Sequence, residues 1–213
     1  MPDAEGFVLA GGASRRMGRD KALLELAGRP LIAHALEILR LAGLPASISG
    51  AWQDGAGVQS SLGSFAPVIA DSEPALGPLA GICAALASTP ARHGVFISVD
   101  APLIPPSLIV SLLHHARVTG SLVTLASVSG FAQTFPAVVD RRALPALKAE
   151  MNAGRRGCYA AFQATGEPVS TVAAELLAQC GQAGRADGLP PWLWFLNLNT
   201  PGDLERIRAL TGG

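Results

Sequence analysis

Short apolar runs alternate with segments of helical periodicity along the first 130 residues of the chain. Five runs predict buried strands: 6–10, 46–49, 67–70, 94–99 and 121–127. Between them, apolar residues recur at helical spacing and predict helices over 30–42, 77–88 and 105–117. Strands separated by helices of this length form parallel βαβ units. The pattern therefore predicts an α/β fold, a three-layer domain with helices on both faces of one mostly parallel sheet.

The pattern is weaker in the remainder of the chain. It predicts a strand over 133–139, helices over 142–150 and 157–164, and a last strand over 192–198. Asn197 and Asn199 alternate with leucines there, so both amides are expected on one face of that strand. Buried amides need partners, which are either backbone groups or a ligand. Trp192 and Trp194 alternate in the same way and are expected in the core.

Composition favours one globular domain spanning residues 1–213, because no linker-like or low-complexity segment divides the chain. The 16 basic and 16 acidic residues balance, which argues against binding to nucleic acid. No apolar run is long enough for a membrane helix, and the acidic N-terminus is unlike a secretory signal, so we expect a cytoplasmic protein without a membrane partner. Cys83, Cys158 and Cys180 contain no CxxC pair and are expected to be buried, reduced thiols.

The loop after the first strand has the composition of an anion site. Gly11 and Gly12 allow backbone N–H groups to approach a ligand closely, and such groups form cradles for phosphate oxygens. Four of the 16 cations follow within seven positions: Arg15, Arg16, Arg19 and Lys21. The loop is not a Walker P-loop, because Gly18 is followed by Arg19 and Asp20, and the sequence has no GxGxxG. These absences argue against P-loop NTPases and NAD-dependent dehydrogenases.

Asp100 follows the buried strand that ends at Val99. In parallel sheets, ligands bind at the carboxyl ends of strands, and a carboxylate there is suited to Mg²⁺. The alternative is a turn or capping aspartate before Pro102. Asp71 has the same two interpretations.

The run from Leu9 to Lys21, LAGGASRRMGRDK, resembles the signature of the nucleotidyltransferase superfamily, whose core is Rossmann-like. It is similar in particular to the start of the molybdenum cofactor guanylyltransferases. Three later segments follow in the order of that family: Asp71 with 77–81, then 99–106, then 197–201.

This resemblance implies transfer of GMP from Mg-GTP to the phosphate of the molybdenum-bearing molybdopterin, with release of pyrophosphate. The N-terminal half would bind the nucleotide and the C-terminal half the acceptor, with molybdoenzymes or cofactor-delivery proteins as further partners. Arg16, Lys21 and Asp100 would be catalytic, Asp100 would hold Mg²⁺, and Asn197 and Asn199 would bind the acceptor. The implied nucleotide-binding residues are Leu9, Ala10, Gly11, Gly12, Lys21, Asp71, Gly77 and Asp100.

The sequence departs from the family pattern at three places. Ser49 or Gly50 replaces an asparagine, Phe135-Pro136 replaces a His-Pro pair near the acceptor, and the stretch 167–191 has no clear counterpart, with a loop expected at 180–184. Two alternatives therefore stay open. One is a related enzyme that uses CTP or another phosphorylated acceptor, such as a sugar phosphate or phospholactate, although Gly12 favours guanine. The other is a carrier without catalysis, against which Lys21 and Asp100 argue.

Overall fold

The computed structural model describes residues 3–10, 21–50, 61–70 and 77–212. Its strands are β1 (Ala4–Leu9), β2 (Glu25–Leu26), β3 (Arg29–Pro30), β4 (Ala46–Gly50), β5 (Val68–Ala70), β6 (His93–Ser98), β7 (Val123–Val128), β8 (Phe131–Asp140) and β9 (Ser170–Ala173). Its α-helices are α1 (Leu31–Leu41), α2 (Pro78–Ser88), α3 (Pro106–Thr119), α4 (Leu144–Asn152), α5 (Cys158–Gln163), α6 (Ala174–Gln179), α7 (Pro191–Trp194) and α8 (Pro201–Thr211). Lys21–Leu23 and Arg141–Ala143 are short 3₁₀ helices.

Within the described residues, one seven-stranded sheet has the order β5-β4-β1-β6-β8-β7-β9. β1 lies between β4 and β6 and is parallel to both, and β5 and β9 are also parallel to their neighbours. In this sheet of the described residues, β8 alone runs antiparallel to both of its neighbours, β6 and β7, and β2 and β3 form a separate antiparallel pair. The predicted α/β class and mostly parallel sheet are confirmed.

Two apolar layers cover the two faces of this sheet, because successive strand side chains point in opposite directions. Val8, Val95 and Ile97 face the layer that contains α1, α3 and α6. Phe7 and Phe96 face the layer that contains α2, α4 and α5, and their rings stack with centroids 5.3 Å apart. The three-layer arrangement is therefore built by alternation along buried strands.

The predicted last strand over 192–198 is wrong. Pro191 begins the short helix α7, where a proline at the first turn needs no N–H partner, and the segment that follows has no regular secondary structure. Trp194 is buried and donates from Nε1 to the Leu189 carbonyl at 2.7 Å, whereas Trp192 is 61% exposed. The two tryptophans do not share a strand face, and the expectation that both lie in the core fails for Trp192.

The expectation for cysteines holds for two of the three. Cys83 and Cys158 are buried in α2 and α5, and burial raises the pKa of the Cys158 thiol to about 12. Cys180 is exposed, contrary to the prediction, because it follows the last residue of α6 at the surface.

The stretch 167–191 contributes to the sheet, which the sequence pattern did not indicate. β9 pairs with β7 and forms one edge of the sheet, and α6 follows it directly. Ser170–Ala173 is short, half polar and incompletely buried, so it lacks the apolar run by which the other strands were predicted. Among the described residues, no helix is both long and apolar enough to cross a membrane.

Candidate active site

Backbone hydrogen bonds join the carboxyl ends of three neighbouring strands, β4, β1 and β6, at one end of the sheet. The N–H of Val99 donates to the Leu9 carbonyl at 3.2 Å, and the N–H of Ala10 donates to the Ser49 carbonyl at 3.0 Å. These bonds place Leu9 and Ala10, two predicted nucleotide-binding residues, where parallel sheets commonly bind ligands. Both residues are buried, so they contribute backbone rather than side-chain surface.

The first turn of α2 lies beside this end of the sheet. The Ser49 hydroxyl donates to the Gly81 carbonyl at 2.8 Å, and a Cβ atom at Gly81 would lie only 3.4 Å from the Leu9 side chain. Gly77 precedes Pro78 and has φ +73°, a conformation that favours glycine. Gly77 therefore lets the chain turn into α2 at the helix N-terminus.

Asp100 lies just beyond the end of β6, and both of its carboxylate oxygens have donors. Lys21 Nζ donates to Oδ2 at 2.6 Å, and the Ser98 hydroxyl donates to Oδ1 at 2.5 Å. The Asp100 carbonyl also accepts from the N–H of Leu198 at 2.8 Å. The side chains of Lys21 and Asp100 remain 16% and 18% exposed, so a ligand can reach this ion pair.

Lys21 is held by the short 3₁₀ helix that it begins. Its carbonyl accepts from Leu24 at 3.2 Å, and Ala22 beside it is fully buried. From this position Nζ donates to Asn199 Oδ1 at 2.8 Å as well as to Asp100. One ammonium group thus joins the N-terminal loop, the end of β6 and the segment before α8.

Asn199 reaches Lys21 from a loop and not from a strand. Its N–H donates to Asp203 Oδ2 at 2.9 Å, and Thr200 and Asp203 form a capping box at the start of α8. The expectation that Asn197 and Asn199 share a strand face is therefore wrong. Both nevertheless lie at the site, since Asn197 lines the crevice that contains Asp100.

This crevice has a volume of about 270 Å³ and lies between the end of β6, the start of β8 and the segment before α8. Nine described residues line it: Ser98, Asp100, Ala101, Ala132, Gln133, Thr134, Phe135, Phe195 and Asn197. Its walls combine a carboxylate, amides and hydroxyls with two aromatic rings. Such a surface can bind a ligand that has both polar and flat apolar parts.

Sequence reasoning missed several of these residues. Ser98 is the last residue of β6 and lies two positions before Asp100, so the alternation of side chains along an extended chain could have identified it as a neighbour of the carboxylate. Gln133, Thr134 and Phe195 carried no comparable signal, because their place at the site depends on how β8 and the C-terminal segment pack.

The donor set at Asp100 fits a magnesium ion of the kind that substrate phosphates help to bind. Mg²⁺ is usually held by one or two carboxylates together with water and phosphate oxygens. Among the residues that the structure describes, no group of three or more His, Cys, Asp or Glu side chains could hold a metal alone. Asp100 provides one accessible carboxylate, and its partner Lys21 is a cation that can contact the phosphate oxygens that would complete the metal's ligands.

Four of the predicted site residues lie outside the described residues: Gly11, Gly12, Arg16 and Asp71. Of the others, Asp100 and Asn197 line the crevice, and Lys21 contacts both Asp100 and Asn199. Leu9 is the last residue of β1, the strand beside β6, Ala10 follows it, and Gly77 precedes α2.

Comparison with known proteins agrees with this architecture. Residues 6–182 match the family model described as the MobA-like NTP transferase domain. The matched range extends into the stretch 167–191, so the expectation that this stretch lacks a family counterpart is wrong for its first part.

Several relatives are named molybdenum cofactor guanylyltransferase, and two of them illustrate the similarity. The Pseudomonas putida protein is 38% identical over 171 residues, covering 76% of this chain and 85% of the relative. The Vibrio cholerae protein is 30% identical over 210 residues, covering 98% and 93%.

Among solved structures, the molybdopterin-guanine dinucleotide biosynthesis protein A of Archaeoglobus fulgidus superposes with a TM-score of 0.79 at 22% identity, covering 98% of each chain. That likeness is evidence for the fold. The family match covers most of the chain, and the two relatives are similar over most of their own length. The chain therefore belongs to the family of MobA-like nucleotidyltransferases.

Proposed function

We propose that this protein is a guanylyltransferase that transfers GMP from GTP to a phosphate of a molybdenum-bearing molybdopterin and releases pyrophosphate. The observation that carries the proposal is the position of Lys21 Nζ, 2.6 Å from Asp100 and 2.8 Å from Asn199. These two contacts bring together a cation suited to phosphate, a carboxylate suited to a metal ion and an amide from the C-terminal half, and the carboxylate lines the crevice. The names of the relatives supply the guanylyl donor and the cofactor acceptor.

In the proposed reaction, an acceptor phosphate oxygen bonds to the α-phosphorus of GTP while the bond from that phosphorus to the bridging oxygen of pyrophosphate breaks. Two anions must approach each other, and negative charge grows on the leaving pyrophosphate. Catalysis therefore depends on positive groups fixed in place before the reaction. Lys21 is such a group, because its contacts to Asp100 and Asn199 orient its ammonium.

Asp100 is the proposed magnesium ligand. When bound, Mg²⁺ would supply electrostatic stabilisation of the phosphate oxygens. The Ser98 hydroxyl, which donates to Oδ1, fixes the carboxylate orientation. Lys21 Nζ can also donate to a phosphate oxygen while it stays in place, because an ammonium group has three N–H donors and Asp100 and Asn199 accept from two of them.

We assign the nucleotide to the edge formed by Leu9, Ala10 and Gly77, with Gly11, Gly12, Arg16 and Asp71 from the same segments of the sequence as further contacts. The acceptor is assigned to the crevice between β6, β8 and the segment before α8, where Asn197 provides an amide, and Asn199 is placed beside it by its contact with Lys21. The two aromatic walls, Phe135 and Phe195, suit the flat ring system of a pterin. In this arrangement the N-terminal half binds the donor, and residues from the C-terminal half complete the acceptor site.

The proposal is tested by measuring pyrophosphate release with Mg²⁺, each of the four nucleoside triphosphates, and molybdenum cofactor as acceptor. We expect release with GTP in strong preference to the other three. Equal release with CTP would remove the guanylyl assignment. Release with sugar phosphates or phospholactate but not with the cofactor would identify a different acceptor class. Binding of GTP and cofactor without any release would identify a carrier.

A further inference from the structure

The opposite end of the sheet carries a groove of about 630 Å³ that is rich in arginine. We call it the arginine groove, and its described lining residues are Pro90, Ala91, Arg92, Asp140, Arg141 and Arg142. It lies at the start of β6 and the end of β8, since His93 pairs with Asp140 in the antiparallel register. Asp100 is seven residues further along from His93, which corresponds to about 20 Å of extended chain. The arginine groove is therefore separate from the candidate active site.

Asp140 organises two of the three guanidinium groups. Its side chain is fully buried and its Oδ2 accepts from Arg92 Nε and from Arg142 Nη2, both at 3.0 Å. The guanidinium of Arg142 also donates to the Gly120 carbonyl at 2.8 Å, which fixes its plane. Yet the Arg92 and Arg142 side chains are 51% and 56% exposed, so each presents further N–H groups to solvent.

The lining residues carry more positive charge than Asp140 neutralises. The lining contains three guanidinium groups and one carboxylate, so its net charge is plus two. Glu167 acts on Arg142 from outside the lining: the pKa of Arg142 is raised chiefly by its hydrogen bond to Asp140 and to a smaller extent by Glu167. Arg141 is exposed, and within the described part of the chain no hydrogen bond or ion pair engages its side chain. The charge of Asp140 is balanced by other arginines, so it does not explain why Arg141 lies in the groove.

We propose that the arginine groove is a second anion-binding site, which takes a small ligand with two or more linked phosphate groups. Planar guanidinium groups bind phosphate oxygens through paired N–H donors. Arg92 and Arg142 are held in place by a buried carboxylate, so less side-chain freedom is lost on binding. Three cations spread over an open groove of this volume match a diphosphate better than a single phosphate ion. This inference does not rest on the proposed guanylyl transfer.

The experiment measures binding of inorganic pyrophosphate by titration calorimetry, without divalent metal and at fixed ionic strength. Lys21→Ala is the background, because it weakens phosphate binding at the candidate active site and leaves the arginine groove intact. In that background, Arg141→Gln should weaken pyrophosphate binding about tenfold, since one charge-assisted contact is lost. Arg155→Gln is the matched control, because Arg155 is an exposed arginine that pairs with Glu150 outside the groove, and it should leave binding unchanged.

Arg141→Gln keeps every contact that holds Asp140, so the variant should fold, and as a single substitution in the wild-type protein it should retain wild-type nucleotidyl transfer. Arg92→Lys provides a second test: it preserves the charge but removes the planar group, and binding should also weaken. The proposal is overturned if Arg141→Gln binds pyrophosphate as tightly as Arg155→Gln. Equal affinity for orthophosphate and pyrophosphate would overturn the assignment to linked phosphates.

Discussion

An aspartate lies near each end of β6, Asp100 just beyond its last residue and Asp140 on β8 opposite His93, and the two carboxylates differ in how firmly they are held. Asp100, beyond the carboxyl end, is partly exposed and accepts from one lysine and one hydroxyl, those of Lys21 and Ser98. Asp140, beside the start of β6, is fully buried and accepts from two arginines and from the N–H of Arg142. Burial alone would raise the pKa of Asp140, but the hydrogen bonds from Arg142 and Arg92 hold it below its usual value. A carboxylate that is accessible and paired with one cation can be shared with a ligand, whereas one that is buried and bonded to two guanidinium groups serves the fold.

His93, the first residue of β6, is a second buried titratable group beside Asp140. Its imidazole is 1% exposed, and neither ring nitrogen has a hydrogen-bond partner among the described residues. Burial lowers the pKa of His93, although the charges of Asp3 and Asp140 act against that shift. Asp3 Oδ2 lies 3.6 Å from Nδ1 and Asp140 Oδ2 lies 4.0 Å from Nε2. The neutral ring is therefore the form that the folded protein favours.

The largest effect is expected from Asp100→Asn, which removes the accessible carboxylate and keeps its shape. If the metal that Asp100 holds stabilises the transition state by several kcal/mol, turnover should fall by about two orders of magnitude or more. The unfolding midpoint should stay close to that of the wild type, because the side chain is partly solvated. Steady-state pyrophosphate release and a thermal melt measure the two quantities. Turnover near the wild-type rate would show that the metal is held elsewhere.

Lys21→Ala tests the partner of that carboxylate. Loss of a charge-assisted hydrogen bond to phosphate should weaken GTP binding by about 1.5–3 kcal/mol, with a much smaller effect on guanosine. Calorimetry with both ligands measures the difference. Arg40→Ala is a control, because Arg40 is an exposed cation paired with Glu37 on the surface of α1. Unchanged GTP affinity in Lys21→Ala would contradict a phosphate-binding role.

Asp140→Asn should lower stability and leave turnover unchanged, whereas Asp100→Asn should lower turnover and leave stability unchanged. It weakens the hydrogen bonds from Arg92 and Arg142, so the free energy of unfolding should fall by about 1.5–2 kcal/mol. Turnover per folded molecule should remain near the wild-type rate, because Asp140 lies at the other end of the sheet. Urea denaturation and an activity assay on the folded variant measure both. A loss of turnover as large as that of Asp100→Asn would remove the distinction between the two carboxylates.

The smallest effect is the pH dependence that His93 introduces. Because the folded pKa is lowered from 6.5, the unfolded chain binds a proton first as the pH falls below 6.5. Stability should therefore decrease from pH 6.5 down to the lowered pKa, by at most about 1.4 kcal/mol per pH unit. The stabilisation from Asp140 is present above 3.8 and is lost only when the pH falls through its own lowered pKa.

Urea denaturation at pH 7.5 and 5.5 tests this dependence. His93→Gln should reduce the difference between the two pH values, and His114→Gln, at an exposed histidine of α3, should leave it unchanged. An undiminished difference in His93→Gln would assign the pH dependence to other groups.

Much of the fold could be predicted from the sequence because its central strands are continuous apolar runs. The runs 6–10 and 94–99 became β1 and β6, and the helices predicted over 30–42 and 105–117 became α1 and α3. Prediction failed where local pattern and packing disagree. Trp192–Leu198 alternates like a strand, but Pro191 begins a helix and the capping box at Thr200 fixes the segment after it. β9 was missed because an edge strand need not be apolar.

The sequence by itself determined the α/β class and the position of Asp100 after a buried strand, since each depends on residues close together in the chain. Only the tertiary structure decided which distant groups meet. Lys21 contacts Asp100, 79 positions away, and Asn199, 178 positions away. Asp140 is paired with Arg92, 48 positions away, so the same residue type is locked at one end of β6 and accessible at the other. Hydrogen-bond partners over such separations depend on strand order and helix packing, which no local pattern of residues specifies.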